Sequence, residues 1–210
     1  MSKELKLAVI MAGGSAAGKS TTSKAFAVGS PDEHSTMQVV ETQKGPMEKK
    51  VFWTFYDNYA LAGNHHSGTD ANHGPGAVRS ALFKCLDSDK RLSIVDGRIS
   101  SPQWVLALND WQEYNALRYE LKALCLHFDF TPEDLLTRLA VRRGTDKEII
   151  REKMMPRCRG WVAAANKLVD HFNTQCKVPY EVLTIWPEDT TEDIVGLLQD
   201  WVEEMDHGRL

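Results

Sequence analysis

The chain has 210 residues, 42 % of them hydrophobic, and a formal net charge of -4. That length fits one domain with room for a lid or insertion, and that hydrophobic content supports a buried core. No window approaches the roughly 20 consecutive apolar residues of a membrane-spanning helix, and the overall charge gives no global attraction to nucleic acid. Four cysteines, Cys85, Cys125, Cys158 and Cys176, are widely spaced with no CxxC pair. This fits a reducing cytoplasm and argues against a disulfide scaffold or a thiolate zinc site.

The first residues read as a strand rather than a signal peptide, because the apolar run Leu5–Ala12 is short and leads straight into glycines. Next come Gly13-Gly14-Ser15-Ala16-Ala17-Gly18-Lys19-Ser20, which satisfy GxxxxGK[ST] at every fixed position. Thr21–Val28 reads as the helix that follows. In such a loop the backbone N–H groups turn inward around phosphate oxygens, and the helix N-terminus adds a favourable dipole. Lys19 is expected to reach the β- and γ-phosphates and Ser20 to place its hydroxyl on Mg²⁺. Gly13 to Thr21 are thus the expected binding residues for ATP–Mg²⁺.

Beyond the loop, β-rich and helical stretches alternate, which argues for an α/β fold with a mainly parallel sheet. Thr36–Thr42 and Lys50–Tyr56 are β-rich, and the Lys44-Gly45-Pro46 segment between them suggests a hairpin. Ala77–Leu86 reads as a helix, Arg91–Arg98 as a strand ending in a polar cluster, Pro102–Ala123 as a helix and Leu124–Phe130 as a strand. Thr131-Pro132-Glu133-Asp134 is a helix start, with Thr at the N-cap, Pro next and acids in the first turn. That helix continues to Arg143 and stops at Gly144. A second helix, Asp146–Phe172, is expected to bend near Pro156. Val182–Trp186 and Thr191–Met205 read as the last strand and an amphipathic closing helix.

Three features bear on chemistry. Asp96 ends its strand at the edge where ligands sit in open parallel sheets, so it is a candidate to hold the Mg²⁺ shell or to take a proton from an acceptor hydroxyl. The competing reading is a turn-forming Asp before Gly97. The second feature is charge. Arg138 to Arg159 carries eight Arg or Lys against three acids, whereas Glu188 to Asp206 carries eight acids and no Arg or Lys. A lid that closes over a transferring phosphoryl group needs such mobile positive charge, with Arg142 and Arg143 the catalytic candidates. A solvated surface helix is the plainer explanation for any one arginine.

The third feature is GNHHSGTDANHGPG, Gly63 to Gly76. His65, His66, His73 and Asp70 invite a zinc reading, but no HxExxH-type spacing fixes ligand geometry. A plain surface loop is a second reading. An acceptor-binding loop is the favoured one, since phosphoryl transfer needs a second substrate in line with the γ-phosphate. Asp70, Arg79 and Arg98 are the expected acceptor-binding residues. Tyr56, Tyr59, Trp53 and the loop histidines are candidates to stack on a base, with core or hairpin packing the alternative for the three aromatics, more so for Trp53 than for Tyr59.

Taken in order, these segments resemble the nucleotide-kinase branch of the P-loop fold, with thymidylate kinases the nearest general likeness. VIMAGGSAAGKST is similar to their phosphate loop, RLSIVDGRIS to a core strand with its terminal acid, and LCLHFDFTPEDLLTRLAVRRG to the strand and arginine-bearing helix before the lid. VPYEVLTIWPEDTTEDIVGLLQDWV is similar to the last strand and closing helix. The thymidylate-kinase DR signature is approximated only by Asp96-Gly97-Arg98. The resemblance implies an α/β three-layer P-loop kinase domain over residues 1–210, with an acceptor-side insertion at about 36–76 and a lid at about 138–160. It extends to a phage subgroup that phosphorylates 5-hydroxymethyluracil within DNA, a step that shields phage genomes from host restriction. The implied partner is then a nucleotide or modified-base DNA, and the implied location is cytoplasm, that of the host for a viral chain. Alternatives are a free nucleoside or nucleoside monophosphate kinase and a regulatory or assembly ATPase. The oligomeric state is open, a dimer included.

Overall fold

The computed structural model describes residues 3–42, 45–72, 74–97 and 103–207. Its centre is β1 (Glu4–Ala12), an apolar strand buried on both faces. Leu7, Val9 and Met11 enter one core cluster, and Ala8, Ile10 and Ala12 enter the other. This is the period-2 alternation of a strand sandwiched between two helical layers, which is why β1 reads as a continuous hydrophobic run.

From β1 the chain passes to α1 (Lys19–Phe26), the hairpin β2 (Asp32–Thr42) and β3 (Gly45–Phe55), and the two-residue strand β4 (Ala60–Leu61). Then follow α2 (Pro75–Leu86), β5 (Leu92–Val95), α3 (Gln103–Asn115), β6 (Tyr119–Phe128), α4 (Pro132–Arg143), α5 (Lys147–Gln175), β7 (Tyr180–Ile185) and α6 (Thr191–Asp206). The seven strands lie in the order β2-β3-β4-β5-β1-β6-β7. β4, β5, β1, β6 and β7 are mutually parallel, and β3 joins antiparallel to β4. One core packs α2, α3 and the second half of α5 on the sheet; the other packs α1, α4, α6 and the first half of α5. The architecture is a three-layer α/β fold of P-loop NTPase type, as the sequence implies.

Several boundaries differ from expectation. The helix expected over Pro102–Ala123 ends at Asn115, and the strand after it begins at Tyr119 rather than Leu124. Tyr119 to Ala123 alternate, with Leu121 and Ala123 buried and Glu120 exposed, and they pair with β1 from Glu4↔Tyr119 to Ala8↔Ala123. Edge-to-edge pairing with the central strand outweighs any continuation of the helix. β4 is too short to leave a pattern in the sequence. The hairpin is longer at its base than expected, pairing from Asp32↔Phe55 to Thr42↔Gly45. α5 is one helix with Pro156 inside it.

Helix ends follow their capping residues. Thr131 caps α4 with a reciprocal box: its hydroxyl accepts from Asp134 N–H, while Asp134 accepts from Thr131 N–H. Thr190 and Asp193 repeat the arrangement at α6, and the Thr190 hydroxyl holds the Asp193 carboxyl below its ordinary value. Among the described residues, no helix is long and apolar enough to cross a membrane.

Candidate active site

The loop between β1 and α1 lies at the carboxyl edge of the parallel strands. Ala16 and Gly18 take positive φ, 68° and 102°, which turns successive N–H groups toward one side of the loop. Lys19, the first residue of α1, is buried, and its Nζ donates to the carbonyls of Gly13 at 2.9 Å and Gly14 at 2.7 Å. The ammonium thus spans the loop it serves. Ser15, Ala16 and Ser20 are partly exposed on the loop, Ala17 is buried, and Thr21 is exposed.

Asp96 follows β5, next to β1 in the sheet, and is 1 % exposed. Its two oxygens are both engaged. Ser23 of α1 donates its hydroxyl to Oδ2 at 2.6 Å, and the Thr69 N–H donates to Oδ1 at 2.8 Å. The Thr69 hydroxyl in turn accepts from Asp96 N–H at 3.0 Å. A carboxylate so buried and so well supplied with donors is held as a fixed acceptor. The turn-forming reading of Asp96 does not account for it.

Gly63 to Gly76 is what brings Thr69 there. Asn64 and Gly68 form an isolated bridge, with Gly68 N–H to Asn64 O at 2.8 Å and Asn64 N–H to Gly68 O at 3.2 Å. Gly68 has φ 57° and ψ -147°, a region open essentially to glycine alone. A Cβ there would overlap Oδ1 of Asp96 and lie 2.7 Å from Oδ2. Thr69–Ala71 form a single 3₁₀ turn, and Asp70 is exposed, its Oδ1 3.3 Å from where a Cβ on Gly97 would stand. Asn72 is buried and fully used: its amide oxygen accepts from Phe52 N–H, and its amide nitrogen donates to Phe52 O and Ala62 O. Gly63 to Asn72 form a folded cap on Asp96.

The histidines are placed differently from one another. His65 Nδ1 is hydrogen-bonded to the Tyr56 hydroxyl at 2.8 Å, and the His65 backbone N–H donates to Glu33 Oε1 at 2.5 Å. His66 is exposed. His73 lies outside the described residues, as does Arg98. Among the described residues no group of three or more His, Cys, Asp or Glu is placed to hold a metal. Burial pushes the Cys125 and Cys176 thiols up, to about 12 and about 11, so neither is a nucleophile.

Tyr56 and Tyr59 do not face a base. They are 3 % and 0 % exposed, stack on each other with centroids 4.7 Å apart, and have their phenol pKa values raised, first of all by burial. The Tyr59 hydroxyl donates to Ser23 O at 2.7 Å, so this pair buttresses the helix that carries Ser23. Trp53 is partly buried and stacks on His34 within the hairpin.

Among the described arginines, Arg138 lies near the loop between β1 and α1. Its guanidinium lies 4.4 Å from the Phe130 ring centroid and donates to Pro187 O at 2.7 Å, and its Nη1 stands 4.0 Å from where a Cβ on Gly18 would be. Arg142 and Arg143 are exposed on the last turn of α4. Arg151 is tied to Glu133 and Glu148, and with Lys147 it holds the Glu133 carboxyl down to about 2. Arg79 pairs with Asp110 at 2.6 Å across α2 and α3. Ser23 and Thr69 were not legible as site residues. Their only signal is chemical type, a hydroxyl one turn into α1 and one inside an unusual glycine loop.

No protein-family model matches the chain, and no curated protein matches it. Among solved structures, the chain is similar to a crystal structure of the YorR protein of Bacillus subtilis in complex with phosphorylated GDP. The two share 13 % identity over 95 % of this chain and 98 % of that one, with a TM-score of 0.48. At that level the likeness decides nothing about the chemistry of this chain.

Proposed function

We propose that the protein is an ATP-dependent phosphotransferase that moves a γ-phosphoryl group to a hydroxyl of a nucleotide-like acceptor. One observation carries the reading. A complete phosphate loop, with Lys19 laid across its carbonyls, shares a sheet edge with a buried aspartate fixed by a hydroxyl from the loop's own helix. The donor set fits a magnesium-bound triphosphate: backbone N–H groups, an ammonium, the Ser20 hydroxyl and one carboxylate. Mg²⁺–ATP supplies the phosphoryl group and part of its charge neutralisation. Lys19 leaves the Gly13 and Gly14 carbonyls for phosphate oxygens and balances charge as it develops. Ser20 would hold the metal through its hydroxyl, and Asp96 would order the water around it.

Asp96 is 1 % exposed and bonded to Ser23 and Thr69, so we assign the acceptor hydroxyl to Asp70. It is exposed, follows Thr69 directly, and lies beside Gly97. Asp70 orients that hydroxyl and receives its proton as the new P–O bond forms and the bond to the leaving diphosphate breaks. Arg79 serves the acceptor side by exchanging Asp110 for an anion, and the sequence assigns Arg98, outside the described residues, the same role. Arg142 and Arg143 close from the end of α4, and Arg138 holds the loop at Gly18. Residues 1–210 act as one kinase domain, with the hairpin segment on the acceptor side and the α4–α5 turn as lid.

The finer form of the proposal takes the hydroxymethyl group of 5-hydroxymethyluracil in DNA as acceptor. It is supported by the sequence resemblance and by the exposure of Arg142, Arg143, Arg157 and Arg159, which suits phosphates. Burial of Tyr56 and Tyr59 removes the stacking platform expected for a flipped base. Incubation with γ-labelled ATP and either free nucleotides or DNA with and without the modified base decides. Label in free nucleotides alone removes the DNA form; label released only as phosphate removes the kinase reading.

A further inference from the structure

β2 is the terminal strand of the sheet, so its outer N–H and C=O groups have no neighbouring strand among the described residues. Edge strands of folded proteins are ordinarily blunted by lysine, proline or a covering element. The middle of β2, Thr36-Met37-Gln38-Val39-Val40, carries neither lysine nor proline. It exposes Met37 and Val39, at 54 % and 72 %, on one face of the hairpin. Across β3, the residues opposite those two are Lys50 and Glu48, both exposed.

We propose that the partner of this edge is a second copy of the chain, paired antiparallel through β2 about a two-fold axis at Gln38. An axis normal to the sheet keeps each face on its own side, so it must pass through a residue position, and each choice of residue makes a distinct set of neighbours. At Gln38, Met37 stands opposite the partner's Val39, and Val39 opposite the partner's Met37. The register within the hairpin then extends each row to four strands. One row reads Lys50, Met37, the partner's Val39, the partner's Glu48; the other is its mirror. Four exposed apolar side chains become one patch, and each row ends in opposite charges. Those ends are three strand spacings apart, about 14 Å of backbone, which lysine and glutamate side chains largely span over the apolar middle.

The neighbouring registers lack this match. An axis at Met37 ends its central row in two lysines, and one at Val39 ends it in two glutamates. An axis at Thr36 sets Val39 opposite the partner's Glu33. The registers at Met37 and Val39 forgo the attraction between unlike row ends, and an acid set against an apolar residue disfavours the one at Thr36. Pairing at Gln38 gives one sheet of 14 strands continuous across two chains, with both phosphate loops outside the contact. The proposal does not depend on the reaction catalysed.

The test is sedimentation of the full chain at loading concentrations up to on the order of 100 µM, where even a small interface associates. A dimer is expected. Lys50→Glu or Glu48→Lys alone sets like charges at the row ends and raises the dissociation constant about tenfold, and the double exchange returns it to near the wild-type value. Gln38→Cys places identical positions about 5 Å apart in Cα, within disulfide reach, and oxidation should cross-link it. Met37→Cys, whose copies lie about 7–8 Å apart on the diagonal, should not cross-link. The wild-type chain is the control, its cysteines being buried or half-buried. Circular dichroism confirms that each variant is folded. A monomer throughout, a dimer indifferent to both charge changes, or failure of Gln38→Cys to cross-link overturns the proposal.

Discussion

Replacing Gly68 with alanine should damage the site and the fold together, for a reason that can be worked out from one side chain. Gly68 sits at φ 57° and ψ -147°, which costs a residue with a Cβ about 1–3 kcal/mol. The added methyl would overlap the Asp96 carboxylate, so either Asp96 or the Gly63–Gly76 segment must shift. Either movement breaks the bond from Thr69 N–H to Oδ1, a hydrogen bond to a buried charged group worth about 1.5–3 kcal/mol. The sum is about 2.5–6 kcal/mol. For a chain of this length each kcal/mol moves Tm by about 2–4 °C, so a fall on the order of 10 °C is expected. Displacing Asp96 by a fraction of an ångström should also cost phosphoryl transfer more than about tenfold. Thermal unfolding followed by circular dichroism and a transfer assay below the variant's Tm read the two effects separately. Wild-type unfolding and wild-type transfer by Gly68→Ala would refute the reasoning, because a Cβ at Gly68 meets the Asp96 carboxylate in the conformation that bonds Thr69 N–H to it.

Ser23→Ala removes the donor to Oδ2 of Asp96 and should lower kcat with a raised Mg²⁺ requirement; Ser23→Thr should recover much of the loss, and an unchanged Mg²⁺ titration for Ser23→Ala would contradict the assignment. Arg138→Ala should raise the KM for ATP more than it lowers kcat, measured by initial rates, because the guanidinium lies against Gly18 and not at the transferring end of the loop. The Glu133 carboxyl is held down to about 2 by Arg151 and Lys147. A carboxyl lowered on folding contributes above its unfolded value, near 4.5, and loses that contribution as pH falls toward 2. Amide protection at the start of α4 and α5, corrected for the intrinsic pH dependence of exchange, should therefore fall across that window in the wild type and change less in Arg151→Met.

The parts legible from sequence were those whose chemistry lies in contiguous residues. Gly13 to Ser20 announces its loop because the glycines, the lysine and the serine act within one turn of backbone, and Thr131 announces α4 because a cap is a local bond. Asp96 could be singled out because a strand end at the phosphate-loop edge is a position set by topology. Its partners could not, since Ser23 is 73 residues away and Thr69 27 residues away. The Gly63–Gly76 segment was recognisable as special from composition, yet the reason for its glycines is a carboxylate from another strand. Tyr56 and Tyr59 flank an Asp-Asn pair that suggests exposure, and only the packing of α1 against the hairpin base decides that both are buried. The start of β6 was obscured because Tyr119 to Ala123 suit a helix locally and become a strand through pairing with β1.

The central claim is that this loop moves a phosphoryl group and does not merely bind or hydrolyse a nucleotide. The most direct measurement compares wild type and Lys19→Ala for transfer of label from γ-labelled ATP to nucleotide and DNA acceptors, with circular dichroism showing both folded. Labelled acceptor with the wild type and none with Lys19→Ala is the predicted result. Label released by the wild type only as free phosphate, or transfer by Lys19→Ala at the wild-type rate, would contradict it.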